Sequence, residues 1–520
     1  MTATWPPHIG KKLDYPEVAV GAILAGSARR FGDRVVFSHH GDELTYTQLW
    51  QRACQFANGL VSRGVKAGDR VALRMPNCLP FPVAYYGLLL AGATFVPVNP
   101  LMPEAAVAAQ LEDAGAVLTV VASDVDEIRD GQPDTPPDVQ IDIYRDLAHL
   151  AYTGGTTGRS KGVELPHRNV VVNTLQFACW QSGSVPALDS EGGVVLDQIG
   201  DPSEYRTRLG EGRAINLTPW FHAMGTIAGL NVLILTGMSV ILHDRFDPAA
   251  YLADAEKFQV TSMGGAPALF AGLLACPDIA TRDLSAVNSI GSGAAPMPYE
   301  MTVALQRIMP NAVIVEGYGL TEVTMGATSA PTFVSGLRKV GTVGVPVFDT
   351  EVKLVPVEGG DEPVPAGEPG EVCIRGPQVM AGYHNRPRET ADVLVDGWLH
   401  TGDIGVLDED GYLSIVDRKK DMLLYKGYNV YPRELEELLI AHPGVAMAAV
   451  VGRKDLEAGE LPVAFVVPAK PDVTAEEVMA DINDQVVPYK RLREVILTDQ
   501  IPISAAGKIL KRELRERLKS

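Results

Sequence analysis

The chain has 520 residues, 46% of them hydrophobic and 21% charged, with a formal net charge of -19. That length exceeds one ordinary core, so two or more domains are expected; the acidic balance excludes general affinity for nucleic acid or anionic lipid, and any anionic ligand must be held by a local basic site. Five cysteines, Cys54, Cys78, Cys179, Cys276 and Cys373, are scattered without CxxC or zinc-like spacing, which suits a reducing cytoplasm and indicates no structural metal.

The N-terminal MTATWPPHIGKKLD has prolines and no apolar core segment, so no secretory signal is expected. GDRVALRMPN, PFPVAYYGLLLAG and TFVPVNP then predict strand, helix and strand of an α/β layer. In AYTGGTTGRSKGVELPH, Gly154, Gly155 and Gly158 free the backbone to turn, Thr153, Thr156 and Thr157 add hydroxyls, and Lys161 adds a compact charge suited to phosphate. The bland alternative is a flexible Gly/Thr/Ser surface loop. A P-loop is excluded, because Ser160 precedes Lys161 and Gly162 follows it. From Gln181 to Arg213 the chain is polar, acidic and aperiodic, which predicts an exposed loop or short insertion. Ala214 to His243 lacks Asp, Glu, Lys and Arg and is long enough to span a bilayer, but Asn216, Pro219, His222 and Asn231 interrupt it; a buried helix and strand are expected, with no membrane span.

QVTSMGGAPALFAGLLA and VNSIGSGAAPMPYEMTVALQRI repeat one plan of strand, Gly/Ala/Pro turn and helix, and a third strand follows in NAVIVEGYGLTE. Ligands of open parallel sheets gather at the carboxyl ends of strands, where Gly291, Gly293, Gly317 and Gly319 are expected. Gly291 to Pro296 approaches a GxGxxG pattern but ends in proline with no acidic ribose partner, so no dinucleotide fold is expected. The stretch from Gly359 to Glu371 reads as a loop within an all-β portion, and the charged run Asp417 to Asp421 as a domain boundary. Beyond it, Pro432 suits the first turn of a helix bearing Leu435, Leu438 and Leu439 on one face, and Thr474 with Glu477 predicts a capping box. The expected fold is α/β. A large multi-subdomain N-terminal domain, residues 1–417, has parallel-rich sheets with helices plus a β portion; a small mobile α+β C-terminal domain takes residues 418–520.

Together with YTGGTTGRSKG, four further stretches resemble the adenylate-forming superfamily of acyl-CoA synthetases, carrier-loading adenylation domains and firefly-type luciferases: EGYGLTE (Glu316 to Glu322), GWLHTGDIG (Gly397 to Gly405), VDRKKDMLLYKGYNVYPRELE (Val416 to Glu436) and AAGKILKRELR (Ala505 to Arg515). The five stand in family order across nearly the whole chain, closest in pattern to fatty or aryl acid:CoA ligases. The resemblance implies a carboxylic acid activated on the α-phosphate of ATP, with Mg²⁺, then passed to the thiol of coenzyme A. It implies that Thr153, Gly154, Gly155, Thr156, Thr157 and Lys161 hold the β- and γ-phosphates. Thr321 would donate to the α-phosphate and Glu322 ligate Mg²⁺. Tyr318 would stack on adenine beside Gly293, Ala294, Ala295, Glu316, Gly317 and Gly319. Asp403, with Arg418 nearby, would take the ribose hydroxyls.

Lys508 would bridge carboxylate and ATP during adenylation. A hinge at Lys420 would then bring Lys426, Gly427 and Tyr428 to line the pantetheine tunnel. Taken singly, Tyr318 reads as core, Asp403 as a turn residue and Lys508 as a solvated lysine. Many luciferases and aryl-CoA ligases carry a lysine where this chain has Leu424. Trp220, His222, Gly225, Gly291, Gly317 and Gly326 are the expected walls of the acyl pocket, with His222 toward the thiol tunnel or simply packed in the core. Amino-acid-activating relatives place an aspartate near Trp220 to Met224; WFHAM has none, so the expected acid is apolar and bulky, of fatty, aryl or polycyclic/terpenoid type. The alternatives are a free-standing enzyme that loads an acyl carrier protein and a non-catalytic ATP-binding relative. No carrier domain follows Ser520, so the acceptor is expected from outside. The expected partners are the small-molecule acid, a carrier protein if that is the acceptor, and a second copy of the chain.

Overall fold

The computed structural model describes residues 4–153, 160–293, 297–426, 428–503 and 509–518. Two compact units are formed, Met1–Glu351 with Ile374–Leu399, and Val352–Cys373 with His400–Ser520.

The first unit carries two large sheets. In one, Arg70–Leu73 pairs in parallel with Thr94–Pro97, and the helix Pro80–Leu90 supplies the crossover. Pro80 opens that helix, where a missing N–H costs nothing, and its apolar residues lie all round because the helix is buried on every side. Leu147–Thr153 and Lys161–Pro166 form an antiparallel hairpin in the same sheet, and Gly382–Tyr383 adds to its edge. In the other sheet, Ser262–Gly265, Ser289–Ser292 and Val313–Tyr318 lie parallel and adjacent, separated in sequence by the helices Pro267–Ala275 and Tyr299–Ile308. This is the repeated strand, turn and helix plan expected from the sequence. Its core is apolar, with Met263, Phe270, Leu273, Ile290 and Leu305 all buried.

The polar stretch after Gln181 is a loop only in part, residues 199–212 being turn and irregular chain. Ser184–Leu188 and Val194–Gln198 form an antiparallel hairpin. Contacts remote in sequence hold it: a Cβ at Gly26 of the helix Gly21–Phe31 would lie 2.1 Å from the Val194 carbonyl oxygen, and Arg29 grips both oxygens of Asp189. The charge-free stretch from Ala214 is broken as expected into the strand Arg213–Asn216, short helical turns and the strand Ser239–Leu242. Among the described residues, no helix is long and apolar enough to cross a membrane.

A buried polar cluster braces this region. Tyr85 OH lies 2.8 Å from His149 Nε2, Asn231 Nδ2 donates to Tyr85, and Tyr86 donates to Asn231 Oδ1. Asn231 also donates to the Thr226 carbonyl, beside the π-helical turn Ile227–Val232. Burial pushes the His149 imidazole down to about 3 and that of His167 down to about 4. The unfolded chain therefore binds a proton at each near pH 6.5 that the folded chain refuses until those lower values. Stability present above pH 6.5 is lost as pH falls, by about 1.4 kcal/mol per pH unit for each histidine. Urea unfolding at pH 7 and pH 5 should show this fall, and His149→Gln should remove a substantial part of it; an equal fall in both proteins would contradict the assignment.

The second unit has two sheets. Asp403–Leu407 pairs antiparallel with Leu413–Arg418, and the stretch expected as a loop from Gly359 to Glu371 joins β segments but ends earlier, because the strand Pro369–Arg375 takes its last three residues. The other sheet orders Tyr428–Val430, Leu423–Tyr425, Gly459–Pro468 and Val445–Asp455, with Glu494–Leu497 parallel to Gly459–Pro468. Pro432 does begin the helix Pro432–Ala441, and Thr474 and Glu477 do form a reciprocal capping box. Leu435 and Leu439 are buried with Val450, Ala464, Val478 and Ile482, which makes the last hundred residues a small α+β body.

Candidate active site

In the first unit the site starts from strand register. Gly265 lies opposite Ser292 and Ser292 opposite Glu316, so three parallel strands end at one level. A Cβ at Gly264 or Gly291 would meet no atom within 4 Å, which leaves open space at those ends. Gly317 and Gly319 serve close backbone approach: a Cβ on them would lie 2.9 Å from the Thr328 oxygen and 1.9 Å from the Met325 oxygen. Tyr318 pairs with Thr328, and its carbonyl accepts from Ala327. The Glu316 carboxylate accepts the Met297 amide at 2.9 Å and ties that segment to the strand end.

The next turn, Thr321–Val323, presents Glu322. Two devices fix it. Thr324, buried with φ +69, donates its hydroxyl to the Gln378 carbonyl, and the Glu322 carbonyl accepts the Met380 amide at 2.8 Å. The buried helix His167–Ser182 steadies both strands of this arrangement, Asn173 by bonding Gly326 and Asn169 by bonding the Val379 carbonyl.

Four side chains missed by the sequence reading, Tyr383, Glu389, His384 and Glu164, complete the constellation. Tyr383 donates its hydroxyl to Glu322 Oε1 at 2.8 Å, while its ring lies 4.7 Å from the ammonium of Lys161. Lys161 also pairs with Glu389, and His384 Nδ1 lies 2.7 Å from Glu164 Oε1. Burial and the Glu322 carboxylate push the Tyr383 phenol far up, so it stays a donor. The expected phosphate lysine and the expected magnesium ligand are thus joined through one tyrosine. The AGYHNRPRE string carried a signal, a tyrosine and acid beside glycine, but no local pattern assigned it partners. Thr153 faces Lys161 across the hairpin; Gly154, Gly155, Thr156 and Thr157, like Ala294 and Ala295, lie outside the described residues.

The expected acyl walls divide. His222 is half-buried, and its Nδ1 accepts the Met224 amide at 3.4 Å; Met224 in turn would stand 3.3 Å from a Cβ at Gly293. Trp220 is a correction. It is fully buried, edge-on to Phe37 and tilted against Phe81, and donates to the Gly229 carbonyl, so it is a core ring rather than a pocket wall. At Gly225 a Cβ would lie 1.9 Å from the Pro219 oxygen and at Gly326 2.2 Å from the Phe177 ring, so both glycines allow close packing on that side.

In the second unit Asp403 is buried, lies opposite Arg418 across the strand pair, and accepts from its Nε at 3.1 Å. An exposed turn aspartate would not be held so. Burial, then the neighbouring Arg418 charge, lowers the Lys420 ammonium. Lys426 has φ +49 and donates its amide to Ala458, and Tyr428 is exposed but stacked on Tyr489 at 4.7 Å. Leu424 is exposed on the strand before them. Gly427 and Lys508 lie outside the described residues, although Ile503 and Ile509 flanking Lys508 pair as an antiparallel bridge.

The donor set suits magnesium and a polyphosphate: a carboxylate oxygen is a hard ligand, and an ammonium on a short strand is a point charge for phosphate. Comparison with known proteins agrees. A family model described as AMP-binding enzyme matches residues 24–384, and one for the AMP-binding enzyme C-terminal domain matches residues 434–508. A long-chain-fatty-acid–CoA ligase of Bacillus subtilis is 34% identical, over 99% of this chain and 97% of its own. A feruloyl-CoA synthase of an Amycolatopsis species is 36% identical, over 96% and 99%. The crystal structure of ATP-bound MatB from Rhodopseudomonas palustris superposes with a TM-score of 0.83 at 28% identity, covering 97% of this chain and 99% of that one. With motifs, fold and both family matches in agreement along the chain, this protein belongs to the AMP-binding enzyme family of adenylate-forming enzymes.

Proposed function

We propose that this chain, an AMP-forming acyl-CoA synthetase that uses ATP, Mg²⁺ and coenzyme A, ligates an apolar, bulky carboxylic acid of fatty, aryl or polycyclic type. The observation that carries the choice of acid is the approach of Met224 to Gly293 at the ends of the parallel strands. A thioether stands there, in a WFHAM segment with no carboxylate to pair with a substrate ammonium. Space beside Gly264 and Gly291 favours an apolar body, and burying its surface would supply much of the affinity. The two relatives named for long-chain fatty acids and feruloyl groups lend support, since both acids carry an apolar body.

A carboxylate is a poor electrophile, and joining it to AMP supplies a good leaving group. Lys161 is proposed to neutralise phosphate charge, Glu322 to hold Mg²⁺ with its oxygen oriented by Tyr383, and Thr321 to donate to the α-phosphate. Tyr318 is proposed to stack on adenine and Asp403 to accept the ribose hydroxyls. Lys508 would meet the carboxylate, and Lys426, Gly427 and Tyr428 the pantetheine arm. We also propose that residues 418–520 swing about Lys420 as a mobile domain beside residues 1–417. A cytoplasmic location fits cysteines that are all free.

A panel of acids scored by ATP–pyrophosphate exchange, then by thioester formation with CoA, tests the reading. Fatty or aryl acids are expected to exchange and then consume CoA. Preferential exchange with amino acids would overturn the choice of acid; exchange without CoA transfer would favour a carrier protein as acceptor.

A further inference from the structure

Away from the ATP residues, two sequence-adjacent histidines and a remote aspartate converge at the end of the nine-stranded sheet. The strand Val35–His39 runs parallel to Ser239–Leu242, with Phe37 opposite Val240 and Ser38 opposite Ile241, so both strands finish together. The first strand then turns back into Asp42–Thr45, with His39 opposite Asp42 and only His40 and Gly41 between. Both turn residues have positive φ, 53° and 91°, the geometry of a tight two-residue hairpin. Along a strand, successive side chains point to opposite faces. This turn instead brings the two imidazoles to one side, with ring centroids 4.1 Å apart.

Asp244, just past the end of the neighbouring strand, meets them both. His39 Nε2 lies 2.8 Å from one carboxylate oxygen and His40 Nε2 lies 2.9 Å from the other. One ligand atom from each of the three residues falls within 4.8 Å of the rest. We propose that His39, His40 and Asp244 form a binding site for a borderline divalent transition cation such as Zn²⁺, which would tie the hairpin to the adjoining strand end.

The ligand chemistry supports that class. Two imidazole nitrogens and one carboxylate oxygen are a common zinc donor set, and water supplies a fourth position at a surface site. Bonds of about 2.0–2.1 Å in a tetrahedron set neighbouring donors about 3.3 Å apart. The two nitrogens meet different oxygens of Asp244, at 2.8 and 2.9 Å, and with one ligand atom from each residue within 4.8 Å of the others, an ion between them requires these contacts to open and rearrange. Mg²⁺, which prefers oxygen ligands and retained water, is disfavoured by the imidazoles. The site is thereby chemically distinct from the magnesium needed with ATP.

The test uses the full-length chain stripped with a chelator and then dialysed against Zn²⁺ in the presence of excess Mg²⁺. Wild type is expected to retain one more Zn²⁺ per chain than His40→Ala or Asp244→Asn, and to gain at least about 2 °C in unfolding midpoint on zinc addition that both variants lack. His40 is exposed at a turn, and matching circular dichroism of the stripped proteins establishes that the variants fold; Asp244→Asn reads the same difference if His40→Ala does not. Equal zinc retention and equal midpoint shifts in wild type and variants would overturn the proposal.

Discussion

Lys508→Ala is expected to slow adenylation by about 10²-fold or more, yet leave thioester formation from supplied acyl-adenylate near the wild-type rate. The reason lies in when charge appears. As the carboxylate attacks ATP it gives up its own charge while negative charge builds on the phosphoryl oxygens and the departing pyrophosphate, and a factor of about 10² corresponds to about 2.7 kcal/mol of lost transition-state stabilisation. Once acyl-adenylate exists, attack by the thiol has no use for that ammonium. Lys420→Pro should behave in the opposite sense, because a fixed φ stiffens the proposed hinge: acyl-adenylate would form but pass slowly to CoA. Pyrophosphate exchange and thioester release, measured separately, read the two steps. A Lys508→Ala enzyme equally slow in both would refute the assignment of that lysine to one half-reaction.

Glu322→Gln should be comparably severe in adenylation, but for a reason the structure supplies. The amide keeps nearly the same shape and still accepts from Tyr383, whose hydroxyl lies 2.8 Å from the carboxylate, so the turn Thr321–Val323 should keep its place. What disappears is the negative oxygen that would ligate magnesium. The expected loss is about 10²-fold, with a displaced dependence on Mg²⁺ concentration. Tyr383→Phe is the matching control. It keeps an aromatic face for the Lys161 ammonium and removes one hydrogen bond to a charged acceptor, which is worth about 1.5–3 kcal/mol, so adenylation should fall by about 10-fold to about 100-fold. Titrating exchange activity with Mg²⁺ distinguishes these cases; an unchanged magnesium profile in Glu322→Gln would remove Glu322 from the metal site.

The chain's own order of residues was enough to determine its family and much of its local structure. Helix starts at Pro80 and Pro432, the reciprocal cap of Thr474 and Glu477, and the strand, turn and helix repeat ending in Val313–Tyr318 each depend on residues within one or two turns of each other. Dihedral limits, capping groups and apolar period act at that range, so they are written locally. The five motifs are local in the same sense, and the proposed roles of Lys161, Glu322, Asp403 and Lys508 start from them.

Contacts remote in sequence were decided by strand order and register, which no short period encodes. The sequence could not announce that Tyr383 links Lys161 to Glu322, because Gly382–Tyr383 pairs with the Lys161–Pro166 strand from far along the chain. Trp220 looked like a pocket residue from its neighbours, yet its ring is taken up by Phe37 and Phe81 from early segments of the chain. The hairpin Ser184–Leu188 and Val194–Gln198 has a weak alternation of its own and owes its place to Gly26 and Arg29. His39 and Asp244 stand 205 residues apart and meet because two parallel strands end at the same level. Burial area and hydrogen-bond partners at such range follow from packing whole elements together, and it is there that the tertiary structure made its choices.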